Sequence, residues 1–360
     1  MPIRLGIVGM GGMGNAHAQN FSQIKGVELT SCLDLIPNRM ESAQTKYGFK
    51  YQAKDLDQLI DQVDAVCVVT PDACHAPMTL KVLAAGKDVL CEKPLTRTLA
   101  EAKEVAAAAE KAAKRGQIHM IDFSYRRSAA VGRAIELAQE GAIGALRHVY
   151  VCYLQSWLSC RPAWGPTDTW ASSYLLWKLS TSEGSGGVLG DLGSHLLDLA
   201  SACTEDLTAI RCHLATFPKV TPDGLEVTSH EGKQLDANDT AIMDLQFVSG
   251  AVGLAHTSRW ATGCTNTVQL QVHGTEGAFR INLDQSYEAI ELCLGEARHR
   301  QTWDRIYLPA APSMFQRFIS AIETRTPTVP DLLRGAKIQG CLAAAERSAK
   351  SGAWENTAVD

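Results

Sequence analysis

The apolar positions of this chain fall into runs of two kinds, and their order changes near residue 122. Before that point, short continuous apolar runs alternate with longer amphipathic or alanine-rich stretches. The runs 5–8, 27–33, 64–69, 88–91 and 118–121 have the length and β-branched content of strands buried on both faces. The stretches 15–24, 37–47, 56–62, 76–85 and 99–115 read as helices, with Gly86 and Gly116 closing the last two. Strand and helix alternating through short turns predict a doubly wound parallel sheet with right-handed crossovers.

Beyond residue 122 the pattern predicts a helix over 129–139 and a strand over 146–154. Strand-length runs then follow at 207–216, 240–247, 251–260, 267–273, 277–283 and 287–294, and the chain ends helically over 313–323 and 331–350. Turns as short as Val248-Ser249-Gly250 imply antiparallel pairing. The expected fold class is α/β. An N-terminal Rossmann-type, doubly wound parallel sheet (1–122) precedes a C-terminal α/β domain (123–360) with a large, open, mainly antiparallel sheet. The open face is a candidate subunit interface, and the C-terminal helices are candidates for packing back on the first domain.

The first strand–turn–helix already carries chemistry. It contains Gly9-x-Gly11-x-x-Gly14. Gly9 suits the tight turn, Gly11 clears the path of a pyrophosphate, and Gly14 lets the helix sit close on the sheet. The helix N-terminus then offers free N–H groups and a positive dipole end to the phosphates. Asp34 stands 20 residues past Gly14, at the end of the second strand, where a ribose-hydroxyl acceptor is expected. Its carboxylate would repel a 2′-phosphate, so NAD is the favoured cofactor. Arg39, five residues on, could hold such a phosphate and keeps NADP as the minority alternative.

Bulk properties narrow the function classes. The chain is 46% hydrophobic and 20% charged with a net charge of −5, so no basic surplus points to nucleic acid. No apolar stretch reaches the ~18 residues a membrane span needs, and the N-terminus enters a strand without a secretory signal. Eleven cysteines are scattered singly, with no C-x-x-C pair and no Cys/His ligand spacing. Reduced thiols in a cytoplasm, and no metal site, are the expectation.

Three further clusters could do chemistry. Cys91-Glu92-Lys93-Pro94 lies at the C-terminal end of a parallel strand, where open α/β sheets bind ligands. Lys93 could donate there to a substrate oxygen; the bland alternative is a surface lysine opening a loop. The second cluster runs from Gly186 to Asp198. With a helix starting near Asp191, that carboxylate and His195 share a face, with Asp198 one turn further. An imidazole beside a carboxylate suits proton transfer near neutral pH. The alternatives are an N-capping role for Asp191 and a hydrogen-bonded core histidine at 195. The third stretch, 153–177, holds Trp157, Trp164, Trp170 and Trp177, four of the chain's seven tryptophans, with Gln155, Arg161, Asp168 and Tyr174. It fits either a polyhydroxylated ligand or a lid packed on its own domain or a neighbouring subunit.

Several of these segments together carry a family resemblance. They are Gly9-x-Gly11-x-x-Gly14, Thr70-Pro71-Asp72-x-x-His75, the run from Ala85 through Glu92-Lys93-Pro94-Leu95, Tyr125-Arg126-Arg127, Gly141-x-Ile143-Gly144 and Gly190-Asp191-x-Gly193-x-His195-x-x-Asp198. The chain resembles, along nearly its whole length, the glucose–fructose oxidoreductase / inositol dehydrogenase / rhizopine-catabolism (Gfo/Idh/MocA) family. The resemblance implies a Rossmann domain, a second α/β domain used in homodimers or homotetramers, and NAD(P)-dependent oxidation or reduction of sugars, anhydrosugars or cyclitols. It places the family's catalytic lysine on Lys93, its histidine acid/base on His195 and the acidic partner on Asp191. His195 would take and return the hydroxyl proton, Lys93 would steady the oxygen, and Asp191 would orient the histidine or the substrate.

Cofactor contacts are then expected from Gly9, Gly11, Gly12, Met13, Gly14, Asp34, Arg39, Thr70, Pro71, His75, Glu92 and Lys93. Substrate contacts are expected from Lys93, Tyr125, Gln155, Trp164, Trp170, Asp191 and His195. Rival readings are an NAD-retaining glycosidase of the same fold, a non-catalytic sugar-binding regulator, and a reductase of non-carbohydrate compounds.

Overall fold

The computed structural model describes residues 1–160, 170–171, 173–221 and 223–358. The chain forms two compact units, 1–124 with 312–339 and 125–311 with 340–358. In chain order the first holds β1 (Ile3–Val8), α1 (Gly12–Phe21), β2 (Val27–Leu33), α2 (Pro37–Tyr47), β3 (Tyr51–Gln52), α3 (Leu56–Gln62), β4 (Ala65–Val68), α4 (His75–Ala84), β5 (Asp88–Cys91), α5 (Leu99–Lys114) and β6 (His119–Ile121). The second continues with α6 (Ala129–Gln139), β7 (Leu146–Leu154), α7 (Ser173–Leu176), α8 (Ser194–Ala202) and β8 (Leu207–Ala215). Two tiny hairpins follow, β9 (Lys219–Val220) with β10 (Glu226–Val227) and β11 (Ser229–His230) with β12 (Lys233–Gln234). Next come β13 (Thr240–Phe247), β14 (Val252–Ser258), β15 (Thr267–Gly274), β16 (Gly277–Asn282), β17 (Ala289–Leu294), α9 (Glu296–Arg300) and β18 (Asp304–Tyr307). Then α10 (Met314–Thr324) belongs to the first unit, while α11 (Leu332–Ser351) and β19 (Glu355–Asn356) finish the chain.

The first unit is a six-stranded parallel sheet in the order β3-β2-β1-β4-β5-β6. β4 and β5 are buried along their whole length, which is why β4, and β5 after Asp88, read as apolar runs. Leu5, Ile7, Phe21 and Met120 form a core that α10 completes with Phe318 and Ile322. α1 begins at Gly12, three residues earlier than its amphipathic pattern suggests. The glycines take the first helical turn, and the Asn15 amide donates back to the carbonyls of Met10 and Gly11.

The second unit is built on a nine-stranded sheet in the order β18-β17-β16-β15-β7-β14-β13-β8-β19. β7 and β14 pair in parallel and the other neighbours are antiparallel. Strict alternation sorts the side chains. On β13, Ala241, Met243, Leu245 and Phe247 are buried while Ile242 and Gln246 are exposed. The strands the pattern missed have a common cause. β18 is exposed at all four positions, and β3, β9 to β12 and β19 are two residues long, so none shows a period.

The segment ahead of α8 corrects an expectation. The helix starts at Gly187, not near Asp191, and Leu189–Gly193 form a π-helical turn with Asp191 inside it. Asp191 therefore does not cap the helix; Asn238 does. Its carbonyl accepts from Val188 N–H at 2.8 Å and its Oδ1 from Leu189 N–H at 2.9 Å. Gly187 has φ +66° and faces the Asn238 side chain, so a Cβ there would displace the cap. Single π-helical turns recur at functional sites.

Candidate active site

In the first unit the backbone makes the cofactor site. Gly9 has φ +93°, and a Cβ on it would overlap the Val69 carbonyl; a Cβ on Gly14 would overlap the carbonyl of Gly9 itself. Gly11, by contrast, has nothing within 4 Å of its Cβ position, so the approach to the N-terminus of α1 is open. A cradle that side chains would fill, at the mouth of a helix, fits a dinucleotide pyrophosphate. Met13, in the first turn of α1, is exposed.

Asp34 leaves β2 with its side chain almost covered, at 7% exposure. Its Oδ2 accepts from Met10 N–H at 2.7 Å and its Oδ1 from Ile36 N–H at 2.8 Å, so the glycine turn and the end of β2 hold the carboxylate in place. Each oxygen keeps a second lone pair for a ribose hydroxyl. Arg39 Nη1 lies 3.6 Å from Asp34 Oδ1.

Two of the expected cofactor contacts also brace the backbone. His75 is 1% exposed, and its Nδ1 and Nε2 lie 2.7 and 2.8 Å from the carbonyl oxygens of Pro94 and Thr70. It ties the loop after β4, with Thr70 and Pro71, to the loop after β5. Glu92 is 7% exposed; its Oε1 lies 2.9 Å from His17 Nε2, and its Oε2 accepts from Lys93 N–H at 3.1 Å. Both hold the backbone at Lys93, which is itself half-buried.

His17, Glu92 and Asp122 are the only trio among the described residues with metal-donor spacing. Burial pushes the His17 imidazole down, but hydrogen bonds to Asp122, Cys67 and Glu92 lift it well above its ordinary value. The trio joins α1 to the ends of β5 and β6 through these hydrogen bonds.

In the second unit side chains make the site. His195, on α8, is 6% exposed, with the Tyr125 ring edge-on at 5.0 Å and the Tyr153 ring at 6.1 Å. Asn266 links the two tyrosines: its Oδ1 accepts from Tyr153 OH at 2.8 Å, and its Nδ2 donates to Tyr125 OH at 3.0 Å. Gln155 Nε2 donates to the same Asn266 Oδ1 at 2.8 Å, and its Oε1 accepts from Trp157 Nε1 at 2.9 Å. Burial drives both phenols upward, so they stay protonated at any working pH.

Asp198, one turn beyond His195, pairs with an arginine. It takes a two-pronged ion pair from buried Arg126, Nε to Oδ2 at 2.6 Å and Nη2 to Oδ1 at 2.8 Å. That pair anchors α8 to the Tyr125-Arg126-Arg127 turn. Asp191 is held by two cations on one oxygen: Lys178 Nζ at 2.8 Å and Arg259 Nη2 at 3.0 Å from Oδ2.

Trp170 lies in a hydrophobic cluster of the second unit. It is 3% exposed, packs with Trp157, Leu158, Leu175, Leu176, Leu179 and Leu235, and donates its indole N–H to the Val220 carbonyl. Arg161, Trp164 and Asp168 lie outside the described residues. Sequence reasoning missed Asn266, Lys178 and Arg259. Arg259 left one signal, a charged residue closing a strand-length apolar run.

Two family models match the chain. One, described as an oxidoreductase family with an NAD-binding Rossmann fold (GFO_IDH_MocA), covers residues 3–120, and a GFO/IDH/MocA C-terminal domain covers residues 131–280. A levoglucosan dehydrogenase from Pseudarthrobacter phenanthrenivorans is 29% identical over 330 residues, covering 86% of this chain and 81% of that protein. A myo-inositol 2-dehydrogenase from Thermotoga maritima is 28% identical over 278 residues, covering 76% of this chain and 74% of that one. Among solved structures, levoglucosan dehydrogenase in complex with NADH and levoglucosan superposes with a TM-score of 0.85 at 24% identity, covering 99% of this chain and 100% of that one. An oxidoreductase domain protein from Kribbella flavida gives a TM-score of 0.85 at 27% identity, with the same coverage.

Proposed function

The chain belongs to the GFO/IDH/MocA oxidoreductase family, with an NAD-binding Rossmann domain, and from that premise we propose that it oxidises or reduces a hydroxyl-bearing carbon of a sugar, anhydrosugar or cyclitol. The observation that carries this reading is the surround of His195: two protonated tyrosines, two amides and a charge-paired carboxylate. Such a wall donates to and accepts from many hydroxyls. It also agrees with the substrates named for the relatives, levoglucosan and myo-inositol.

Bound NAD supplies the hydride acceptor. His195 removes the hydroxyl proton during oxidation and returns it in reduction. Lys93 donates to the same oxygen and offsets its developing charge. Asp191, kept ionised, accepts from a neighbouring hydroxyl. The test is a spectrophotometric screen of levoglucosan, myo-inositol, scyllo-inositol and free hexoses with NAD⁺ and NADP⁺, repeated on Lys93→Ala and His195→Ala. Turnover should fall by ~10²–10⁴-fold in either variant. Turnover within a few-fold of wild type would remove these residues from the mechanism. Release of an aglycone without net NADH would instead support the glycosidase rival.

Asp34 makes NAD the working cofactor. Asp34→Ser should narrow or reverse the preference over NADP⁺, with Arg39 free to meet the phosphate; an unchanged preference overturns this assignment. The exposed Ile242, Val252 and Tyr307 share one face of the nine-stranded sheet and propose self-association through it, and light scattering of the purified protein would count the subunits. All eleven cysteines are thiols, which suits a cytoplasm. No helix among the described residues is long and apolar enough to cross a membrane.

A further inference from the structure

Lys178 and Arg259 have no part in the proton-transfer scheme, yet both converge on Asp191. Arg259 directly follows β14 and is fully buried. One of its nitrogens donates to the Lys178 carbonyl at 3.0 Å and another to Asp191 Oδ2 at 3.0 Å, while its guanidinium lies 5.0 Å over the Trp157 ring. It thus fixes the backbone that carries Lys178 and the carboxylate that Lys178 meets. The Lys178 side chain is 30% exposed, and its ammonium reaches the same Asp191 oxygen at 2.8 Å.

An exposed ion pair alone contributes little. Here the geometry is fixed from beneath by a buried guanidinium, and the carboxylate sits within a π-helical turn one helical turn from His195. We infer that Lys178 is a substrate-positioning residue: with Arg259 it locks Asp191 as a fixed, ionised acceptor for a hydroxyl of the substrate. Lys178 acts through Asp191 and does not touch the reacting carbon. The inference rests on the reading that Asp191 belongs to the substrate site.

The assay uses whichever compound gives the highest kcat/KM in the screen above, with full-length Lys178→Met, Lys178→Arg, Asp191→Asn and the double variant K178M/D191N. Lys178→Met should raise KM about tenfold with kcat within threefold, while leaving the melting temperature and the NADH dissociation constant at wild-type values. Lys178→Arg should recover KM to within threefold, because a second fixed cation restores the pairing. In the Asp191→Asn background, Lys178→Met should add nothing, the signature of two residues acting as one. An unchanged KM in Lys178→Met, or additive losses in the double variant, overturns the inference.

A second measurement needs no substrate. Labelling of Lys178 by an amine-directed acylating reagent, read by mass spectrometry, should speed up in Asp191→Asn, and unchanged labelling overturns the pairing. Failure of the broader reading looks different: there His195→Ala would itself keep its activity.

Discussion

Between Gly9 and Gly14 the first unit leaves almost nothing to side chains. A left-handed glycine, two carbonyls that admit no Cβ and a bare helix N-terminus define the cradle, and Asp34 is itself held by backbone N–H groups. Around His195 the second unit does the reverse. Tyr125, Tyr153, Gln155, Trp157 and Asn266 hold one another through side-chain hydrogen bonds, and ion pairs fix Asp191 and Asp198. A site made of backbone serves one ligand that never changes, and a single added methyl can close it. A site made of side chains can be refitted to a new substrate one residue at a time, at the cost of many partners that must all be satisfied.

The largest expected effect separates two glycines of the cradle. Gly14→Ala puts a methyl into the Gly9 carbonyl, a backbone atom that cannot step aside. It should destabilise the protein by more than ~4 kcal/mol and abolish NADH binding. Gly11→Ala meets no atom, so stability should stay within ~0.5 kcal/mol of wild type while NADH affinity falls. Urea unfolding and NADH fluorescence titration read the two quantities separately. Equal effects of the two substitutions would mean that Gly11 does not face the pyrophosphate.

The second test breaks the side-chain site at its deepest point. Arg126 and Asp198 are 9% and 2% exposed as side chains and share two hydrogen bonds. Arg126→Met strands a buried carboxylate and should cost about 3–5 kcal/mol. Replacing both partners, R126M with Asp198→Leu, should recover most of it, since a matched apolar pair leaves no charge unpaired. If the double variant is as unstable as the single, the pair is held by something other than its mutual charge. The urea midpoint at constant slope decides.

The same contrast governs what could be read from the chain beforehand. Glycines at 9, 11 and 14 and a carboxylate at 34 are local features, so the cradle and the parallel sheet are legible in order. Asn266 lies more than a hundred positions from Tyr153 and Gln155, and no local pattern marks it as their partner. Asp191 looked like a cap because its own stretch contained no better one; the capping group, Asn238, arrives from a distant loop. Asp198 pairs with Arg126, 72 residues away, which no local spacing marks. Long-range side-chain pairing leaves no period to find.

The smallest effect tests whether the first unit is as free of side-chain engineering as its cradle suggests. His17 is fully buried on α1, and the hydrogen bonds of Asp122, Cys67 and Glu92 outweigh its burial, raising its affinity for a proton. Glu92 shifts the other way: burial pushes it up, but His17 more than reverses that and holds it below the ordinary range. A raised histidine stabilises the fold fully below its unfolded value of ~6.5, and the contribution is lost as pH climbs through the folded value. A lowered glutamate stabilises above its unfolded value of ~4.3, and that contribution is lost as pH drops through the folded value. The cluster is therefore at full strength between about pH 5 and 6.5 and weakens on the alkaline side. Buried thiols add their own alkaline loss, since burial pushes Cys32 to about 11 and Cys91 to about 12, but that loss is common to any variant at position 17. His17→Gln should therefore be less stable than wild type at pH 6, and the gap should shrink by pH 9, because above ~6.5 the unfolded wild-type chain no longer binds the proton that the folded imidazole keeps. Urea unfolding at the two pH values measures the gap directly. A gap that stays constant or widens would mean that His17 folds as a neutral ring, and that the strand ends carrying Lys93 are held by backbone alone.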